Sequence, residues 1–174
     1  MNLFWERGYA DTSLHDLLDV MGITRGSFYK AFDDKLSIYL ATLDLYERDA
    51  VDCAVGVLTT GAPGTGATRI EQVFAGALRQ SEDRMGCYLC VAAVDWAARD
   101  SLAEPKIAAM LDRLESAFRE ALAARSQPGT SADRDMLASF LLSQYLGLQV
   151  MHRANRANES LTKLGTVIRS VVGS

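Results

Sequence analysis

The chain has 174 residues and a formal net charge of −4 at pH 7, and 49% of its residues are hydrophobic. That length allows one domain or two small ones with a sizeable core, while no apolar run is long enough to cross a membrane and no signal peptide precedes the first predicted helix. Three cysteines, an odd number, argue against a disulfide framework and favour a reducing cytoplasm.

Ala- and Leu-rich tracts and only three prolines predict an all-helical fold. Residues 1–8 are typical of the last turns of a first helix that ends at Gly8, with Phe4 facing a small core. Because so little of this helix precedes Gly8, we expect the natural protein to have residues before Met1. An intact mass that starts at Met1 would contradict this expectation.

A second short helix is predicted over residues 13–21. Ser13 and Asp16 have the spacing of a capping box. Its apolar face has the helical spacing of i, i+3, i+4 and i+7 and consists of Leu14, Leu17, Leu18 and Met21. Gly22 can adopt the left-handed conformation of a tight turn, so the chain turns sharply after this helix.

The next predicted helix, over 24–30, has two different faces. Thr24 is a suitable N-cap, and Phe28 and Phe32, spaced i and i+4, can anchor one face inward. The other side is polar and basic and carries Arg25, Ser27, Tyr29 and Lys30. A short helix of this kind after a tight turn is typical of the second helix of a helix-turn-helix, which lies in the DNA major groove.

The charge of this region is unusual for DNA binding. Up to Glu47 there are four basic and eight acidic residues, a net charge of −4, and the other 14 basic and 14 acidic residues balance. Since neutralisation of phosphates supplies most non-specific affinity, we expect the few basic residues, Arg25, Lys30 and Lys35, to share one face.

The ordered residues of this segment resemble the N-terminal domain of TetR-family transcriptional regulators over residues 3 to about 46. The resemblance rests on Arg7-Gly8-Tyr9, Thr12-Ser13, Gly22-Ile23-Thr24, Arg25-Gly26-Ser27-Phe28-Tyr29, Phe32 and Lys35. It implies a three-helix helix-turn-helix domain over 1–46 and a helical effector-binding and dimerisation domain over 47–174, with about nine helices in all.

The resemblance also implies roles for individual residues on double-stranded DNA. The expected phosphate contacts are made by Thr12, Thr24, Gly26, Tyr29 and Lys35. The expected contacts with base edges are made by Arg25, Ser27 and Lys30, and an arginine would favour guanine.

Five further helices and a long connecting helix are predicted after this segment. The connecting helix covers 35–58, capped by Asp33 and Asp34, and a Gly- and Thr-rich break follows over 59–68. Pro105 fits the first turn of a helix. The other helices are predicted over 69–82, 88–99, 105–125, 132–155 and 160–172.

The last two helices are apolar over more of their circumference than one intramolecular face needs. We expect them to form a twofold dimer through Leu141, Leu148, Met151, Leu161, Leu164 and Ile168. Such a homodimer presents two recognition helices to a palindromic operator.

Cys87 and Cys90 form a C-x-x-C pair at the start of a predicted helix. A helix N-terminus lowers the pKa of a thiol, and Gly86-Cys87-Tyr88-Leu89 resembles a TetR branch that includes electrophile- and oxidant-responsive repressors. The pair is thus a candidate for sensing thiols, and buried, inert cysteines are the alternative. A thioredoxin-like site lacks its preceding strand, and the cysteines and histidines lack zinc-ligand spacing.

An effector pocket is predicted among the helices from 35 to 155, for a small and largely hydrophobic ligand. Its candidate lining residues are Phe74, Met85, Tyr88, Trp96, Met110, Phe118, Tyr145 and Gln149. No catalytic or phosphate-loop constellation stands out, so we expect no enzyme, no metal and no cofactor. The favoured interpretation is a repressor released by an effector or by thiol modification. The alternatives are a helical thiol-redox protein or enzyme using Cys87 and Cys90, and a ligand-free architectural DNA binder.

Overall fold

The computed structural model describes residues 1–62, 65–79, 85–95, 102–127, 129–154 and 158–173. These residues form an all-α fold. The helices are α1 (Asn2–Arg7), α2 (Leu14–Met21), α3 (Arg25–Ala31), α4 (Lys35–Tyr46), α5 (Asp52–Thr59), α6 (Gly66–Arg79), α7 (Tyr88–Asp95), α8 (Ala103–Ala123), α9 (Ser131–Arg153) and α10 (Asn158–Gly173). No helix in these ranges is long and apolar enough to span a membrane.

Helices α1 to α3 form an N-terminal head whose local signals agree with the sequence prediction. The Ser13–Asp16 capping box is present at the start of α2, which ends at Gly22 in the left-handed conformation. Thr24 caps α3. Phe28 is fully buried, and its ring lies 5.5 Å from that of Phe32, so α3 is anchored as predicted.

The connecting helix is one rod that contains an unpredicted π-helical turn. Residues Glu47–Val51 form this turn between α4 and α5, so the described residues hold nine helical rods, as the sequence predicted. Arg113 of α8 forms ion pairs with Glu47 and with Asp52, one on each side of the turn. A π-turn contains i→i+5 hydrogen bonds and often lies at a functional site.

Two hydrophobic clusters stabilise the molecule. The first joins the head to α4, α7 and the first half of α8, through side chains such as Phe4, Tyr39 and Tyr88. The second lies among α5, α6, α8, α9 and α10 and includes Phe74 and Phe118. Because the first cluster runs from the head into the rest of the chain, the head packs against the other helices and is not joined to them by the connecting helix alone.

The dimer face predicted on α9 and α10 needs correction. Leu141, Leu148 and Ile168 are buried inside the chain in the second cluster, so they have no area left to offer a partner. Met151 is exposed, while the side chains of Leu161 and Leu164 lie outside the described residues. Hydrophobic periodicity identified the apolar helices but not which apolar side faces outward.

A different set of α9 residues is exposed. These residues recur at helical spacing along one side of the helix, which we call the α9 stripe: Met136, Phe140, Ser143, Gly147, Val150 and Met151. Val167 of α10 is exposed as well. Contiguous exposed apolar side chains of this kind are typical of interaction surfaces.

Candidate DNA-binding face, cavity and thiol pair

The N-terminus of α3 is shaped by a short hydrogen-bonded cap. The Thr24 hydroxyl accepts a hydrogen bond from the backbone N–H of Ser27 at 3.2 Å, and the two hydroxyl oxygens lie 3.0 Å apart. The cap fixes the first turn, where Arg25 and Gly26 are exposed. This end of the helix therefore carries free backbone N–H groups and a guanidinium, both of which suit phosphate and base contacts.

The outer face of α3 is exposed as a whole. Tyr29 is 50% exposed although its neighbour Phe28 is fully buried, and Ser27 and Lys30 are exposed. Six of the eight residues predicted to contact DNA thus lie together on this face: Thr24, Arg25, Gly26, Ser27, Tyr29 and Lys30.

Thr12 and Lys35, the other two, are engaged inside the head. Thr12 is fully buried, and its hydroxyl donates to the Gly8 carbonyl at 2.6 Å. The Lys35 ammonium donates to the carbonyls of Tyr9 and Thr12, at 2.9 Å each, and burial lowers its pKa. In this conformation both groups hold the loop after α1. The Thr12 hydroxyl is buried and not available to a phosphate, while Lys35 is only partly buried, so its phosphate contact stays a prediction.

Replacing Lys35 by methionine is therefore expected to destabilise the head. Two carbonyls would lose a charged donor, which lowers the free energy of unfolding by about 1–3 kcal/mol. Urea denaturation followed by circular dichroism measures this change. Lys30→Met is the matched control, since Lys30 is exposed on α3, and equal stability of the two variants would contradict the role given to Lys35.

We call the part of the chain from the π-turn onward the body. A cavity of about 450 Å³, the body cavity, lies beside the π-turn. Its lining is mainly apolar, and its polar members include Asp49, Gln72 and the hydroxyl-bearing Tyr46 and Tyr145. The rod contributes Tyr46, Asp49, Ala50, Val51, Cys53, Ala54 and Val57, and the rest comes from α6 to α9. A cavity of this size with few polar groups suits a small hydrophobic ligand.

The predicted pocket residues only partly coincide with this cavity. Tyr145 lines it, with Phe74 and Phe118 packed behind its ring at 5.9 and 6.2 Å. Four other predicted residues, Phe74, Phe118, Tyr88 and Met110, are buried in the hydrophobic clusters and do not line the body cavity, so their part in an effector pocket stays a prediction. Trp96 lies outside the described residues. The lining from the π-turn and α6 was missed, since its small side chains carry no pattern distinct from the core.

A second cavity of about 430 Å³, the junction cleft, lies between the head and the body. Gln149 lines it, together with Gly8 and Asp95. Met85, a predicted pocket residue, lies at this junction but lines neither cavity, and its carbonyl accepts a hydrogen bond from the Trp5 indole N–H at 2.9 Å.

Cys87 lines both cavities, and Cys90 lines the junction cleft. The Tyr46 hydroxyl donates to the Cys87 sulfur at 3.2 Å. The hydrogen bond from the Cys90 thiol, helped by Tyr46 and by backbone N–H groups, lowers the pKa of Cys87 below its ordinary value, although burial opposes this. The same pairing raises the pKa of Cys90. The arrangement therefore favours a thiolate at Cys87.

Two side chains of the body, Arg153 and Asp95, hold the C-terminal end of α1. Arg153 donates to the carbonyls of Trp5 and Glu6 at 2.9 and 2.8 Å. The Asp95 carboxylate accepts hydrogen bonds from the backbone N–H groups of Tyr9 and Ala10. Gly8 has a φ of 83°, and a Cβ there would press on Asp95, so glycine permits this close contact.

The fold and the exposed face of α3 define a helix-turn-helix transcriptional regulator. Residues 1–42 match the family described as bacterial regulatory proteins, tetR family. The uncharacterized HTH-type transcriptional regulator YezE of Bacillus subtilis (strain 168) is 31% identical over 159 residues, which cover 85% of this chain and 79% of YezE. This chain therefore belongs to the TetR family, a family of transcriptional regulators and not of enzymes.

Further similarities agree with this assignment. The HTH-type transcriptional repressor DhaR of Mycobacterium sp. (strain GP1) is 21% identical over 169 residues, which cover 95% of this chain and 84% of DhaR. The crystal structure of the reduced form of E. coli NemR superposes with a TM-score of 0.83, at 19% identity, and covers 98% of this chain and 91% of NemR. At that identity the match shows the fold alone.

Proposed function

We propose that the protein is a homodimeric repressor that binds a palindromic operator and leaves it when a small apolar effector fills the body cavity or when Cys87 is modified. The observation that carries the DNA-binding part is the α3 face, where five polar or basic side chains and Gly26 are exposed over a buried phenylalanine anchor. The proposed division into a DNA-binding head and an effector-binding body runs near residue 46.

The contacts between head and body support the proposed release. An effector in the body cavity lies against the π-turn, which continues directly into α4 and so into the head. An effector can weaken operator binding only through unequal affinity for the two arrangements of the head. The π-turn and the Arg153 contacts are the elements whose geometry would differ between those arrangements.

Selection of duplexes from a random library tests the operator part of the proposal. We expect the enriched duplexes to contain inverted repeats, with two chains bound per duplex at moderate salt. Enriched sites without dyad symmetry would contradict the palindromic operator.

Arg25→Ala is expected to lower the affinity for the selected duplex by about 1–3 kcal/mol and to relax the preference at one base pair of each half-site. The reason is that the guanidinium of Arg25 lies on the exposed first turn of α3, where it can contact a base edge. Fluorescence anisotropy with the labelled duplex measures the change. Arg119→Ala is the matched control, because it removes an arginine from α8 that is paired with Asp135, and it should leave the affinity unchanged.

A further inference from the structure

The cysteine pair lies at one end of a helix whose two ends both reach the head. Cys87 precedes α7, and its carbonyl accepts a hydrogen bond from the Val91 N–H at 3.3 Å. Asp95, the last residue of α7, holds the loop after α1. Met85, two residues before Cys87, holds Trp5 and Arg153. A change at the start of α7 would therefore be felt at the C-terminal end of α1 through two separate sets of contacts.

We infer that Cys87 and Cys90 form a site for two-electron oxidants. The oxidant converts Cys87 to a sulfenic acid, and Cys90 then forms a disulfide with it. The disulfide weakens the contacts between α7 and the head. This inference rests on the proposed function and adds to it a reactant class, a second participating thiol and a route to the head. The reactants are small peroxides.

The chemistry of the pair balances without any further group. The Cys87 thiolate attacks one peroxide oxygen, the O–O bond breaks, and hydroxide or alkoxide leaves and takes a proton from water. The Cys87 sulfenic acid that results is attacked by the Cys90 thiol, which gives the disulfide and water. One peroxide is reduced and two thiols are oxidised, so the dithiol supplies both electrons.

The geometry assigns different tasks to the two sulfurs. Cys87 receives the hydroxyl hydrogen bond of Tyr46 at 3.2 Å and lines both cavities, although its exposed fraction is only 5%. A peroxide can reach it through either cavity, while a bulky alkylating reagent is hindered. Cys90 is three residues further along, on the first turn of α7 and on the junction cleft. Residues at this spacing are neighbours on a helix, and Cys87 lies just outside the helix, so it can move to bring the sulfurs together.

Disulfide formation removes the contacts that hold the pair in its reduced arrangement. The sulfur of Cys87 leaves the Tyr46 hydroxyl, and the Cys90 thiol can no longer donate to the Leu146 carbonyl, now at 3.8 Å. The Trp5 ring packs against Tyr46 and Tyr88, with centroid distances of 5.4 and 5.7 Å. Its environment therefore changes when the start of α7 moves, and this makes Trp5 a reporter of the pair.

The experiment uses the full chain with Cys53→Ser and Trp96→Phe as background. Only the paired thiols and the reporter Trp5 then remain. The background is compared with the same chain carrying Cys87→Ser or Cys90→Ser. Each protein is treated with hydrogen peroxide, and a sample is then reduced with dithiothreitol. Intact mass with peptide mapping, Trp5 emission and operator anisotropy are recorded together.

In the background protein we expect a loss of two hydrogens mapped to Cys87–Cys90, a shift in Trp5 emission and about a tenfold loss of operator affinity, all reversed by dithiothreitol. Cys90→Ser should stop at a Cys87 sulfenic acid, seen in the intact mass and the peptide map as the gain of one oxygen at Cys87, and Cys87→Ser should not react. The parent Cys53 chain, with an exposed thiol outside the pair, should respond like the background.

Other outcomes overturn the inference at different steps. Equal oxidation products from the background and from Cys90→Ser would show that Cys90 does not form a disulfide with the oxidised Cys87. A reversible disulfide that leaves both Trp5 emission and operator affinity unchanged would show that the thiol pair is not coupled to the head. If the reduced protein selects no duplex at all, the proposed function fails, whereas the mass and emission readouts still decide the thiol chemistry.

Discussion

Gly147→Arg is expected to turn a dimer into a monomer and to lower operator affinity by about two orders of magnitude or more. Gly147 lies within the α9 stripe, and among the described residues nothing beyond its chain neighbours and the backbone of its own helix lies within 4 Å of a Cβ built there. We expect the α9 stripe to be the dimer interface, so a long charged side chain at this position fits the single chain but projects into the partner. Loss of the second recognition helix removes the gain that comes from tethering two binding sites.

The same change separates interface effects from folding effects. A glycine inside a helix is less stable than most other residues by up to about 1 kcal/mol, so the monomer should not be destabilised. Gly147→Ala is the graded control and should remain a dimer with nearly unchanged operator affinity. Sedimentation velocity gives the oligomeric state, and a Gly147→Arg protein that still sediments as a dimer would exclude the α9 stripe as the interface.

The head could be predicted from the sequence because its signals are local. The Ser13–Asp16 box, Thr24 and the pair of Phe28 and Phe32 act within a few residues of one another. Local spacing also gave the extent of the rod from 35 to 58. It did not reveal the hydrogen bonds of Lys35, because these go to a loop more than twenty residues away; the phosphate contact of Lys35 stays a prediction.

The body was harder to predict from the sequence because its features depend on which helices pack against one another. The π-turn at Glu47–Val51 is bracketed by ion pairs from Arg113 on α8, a contact that no local pattern contains. The apolar positions Leu141 and Leu148 have the same periodicity as Met136 and Phe140, but the first two face the second cluster and the last two face outward. Only the packing of α8 on α9 decides between these sides.

Phe28→Ala is expected to lower the free energy of unfolding by about 3–5 kcal/mol and to abolish operator binding. Phe28 is fully buried and is the anchor that fixes α3 to the head. Without it, the exposed α3 face loses the orientation that a groove requires. The loss should also reach beyond the head, because Phe28 belongs to the cluster that includes Tyr88 and Met110.

The extent of that loss tests how the molecule is connected. If the first cluster couples head and body, urea should unfold Phe28→Ala in the Trp96→Phe background in one transition, with circular dichroism and Trp5 emission changing together. Tyr29→Ala is the matched control, because Tyr29 is half-exposed on the same helix. It should weaken operator binding but cost less than about 1 kcal/mol of stability. Two separate transitions in Phe28→Ala would show that the head unfolds independently, and signals at the junction would then have to pass through the rod alone.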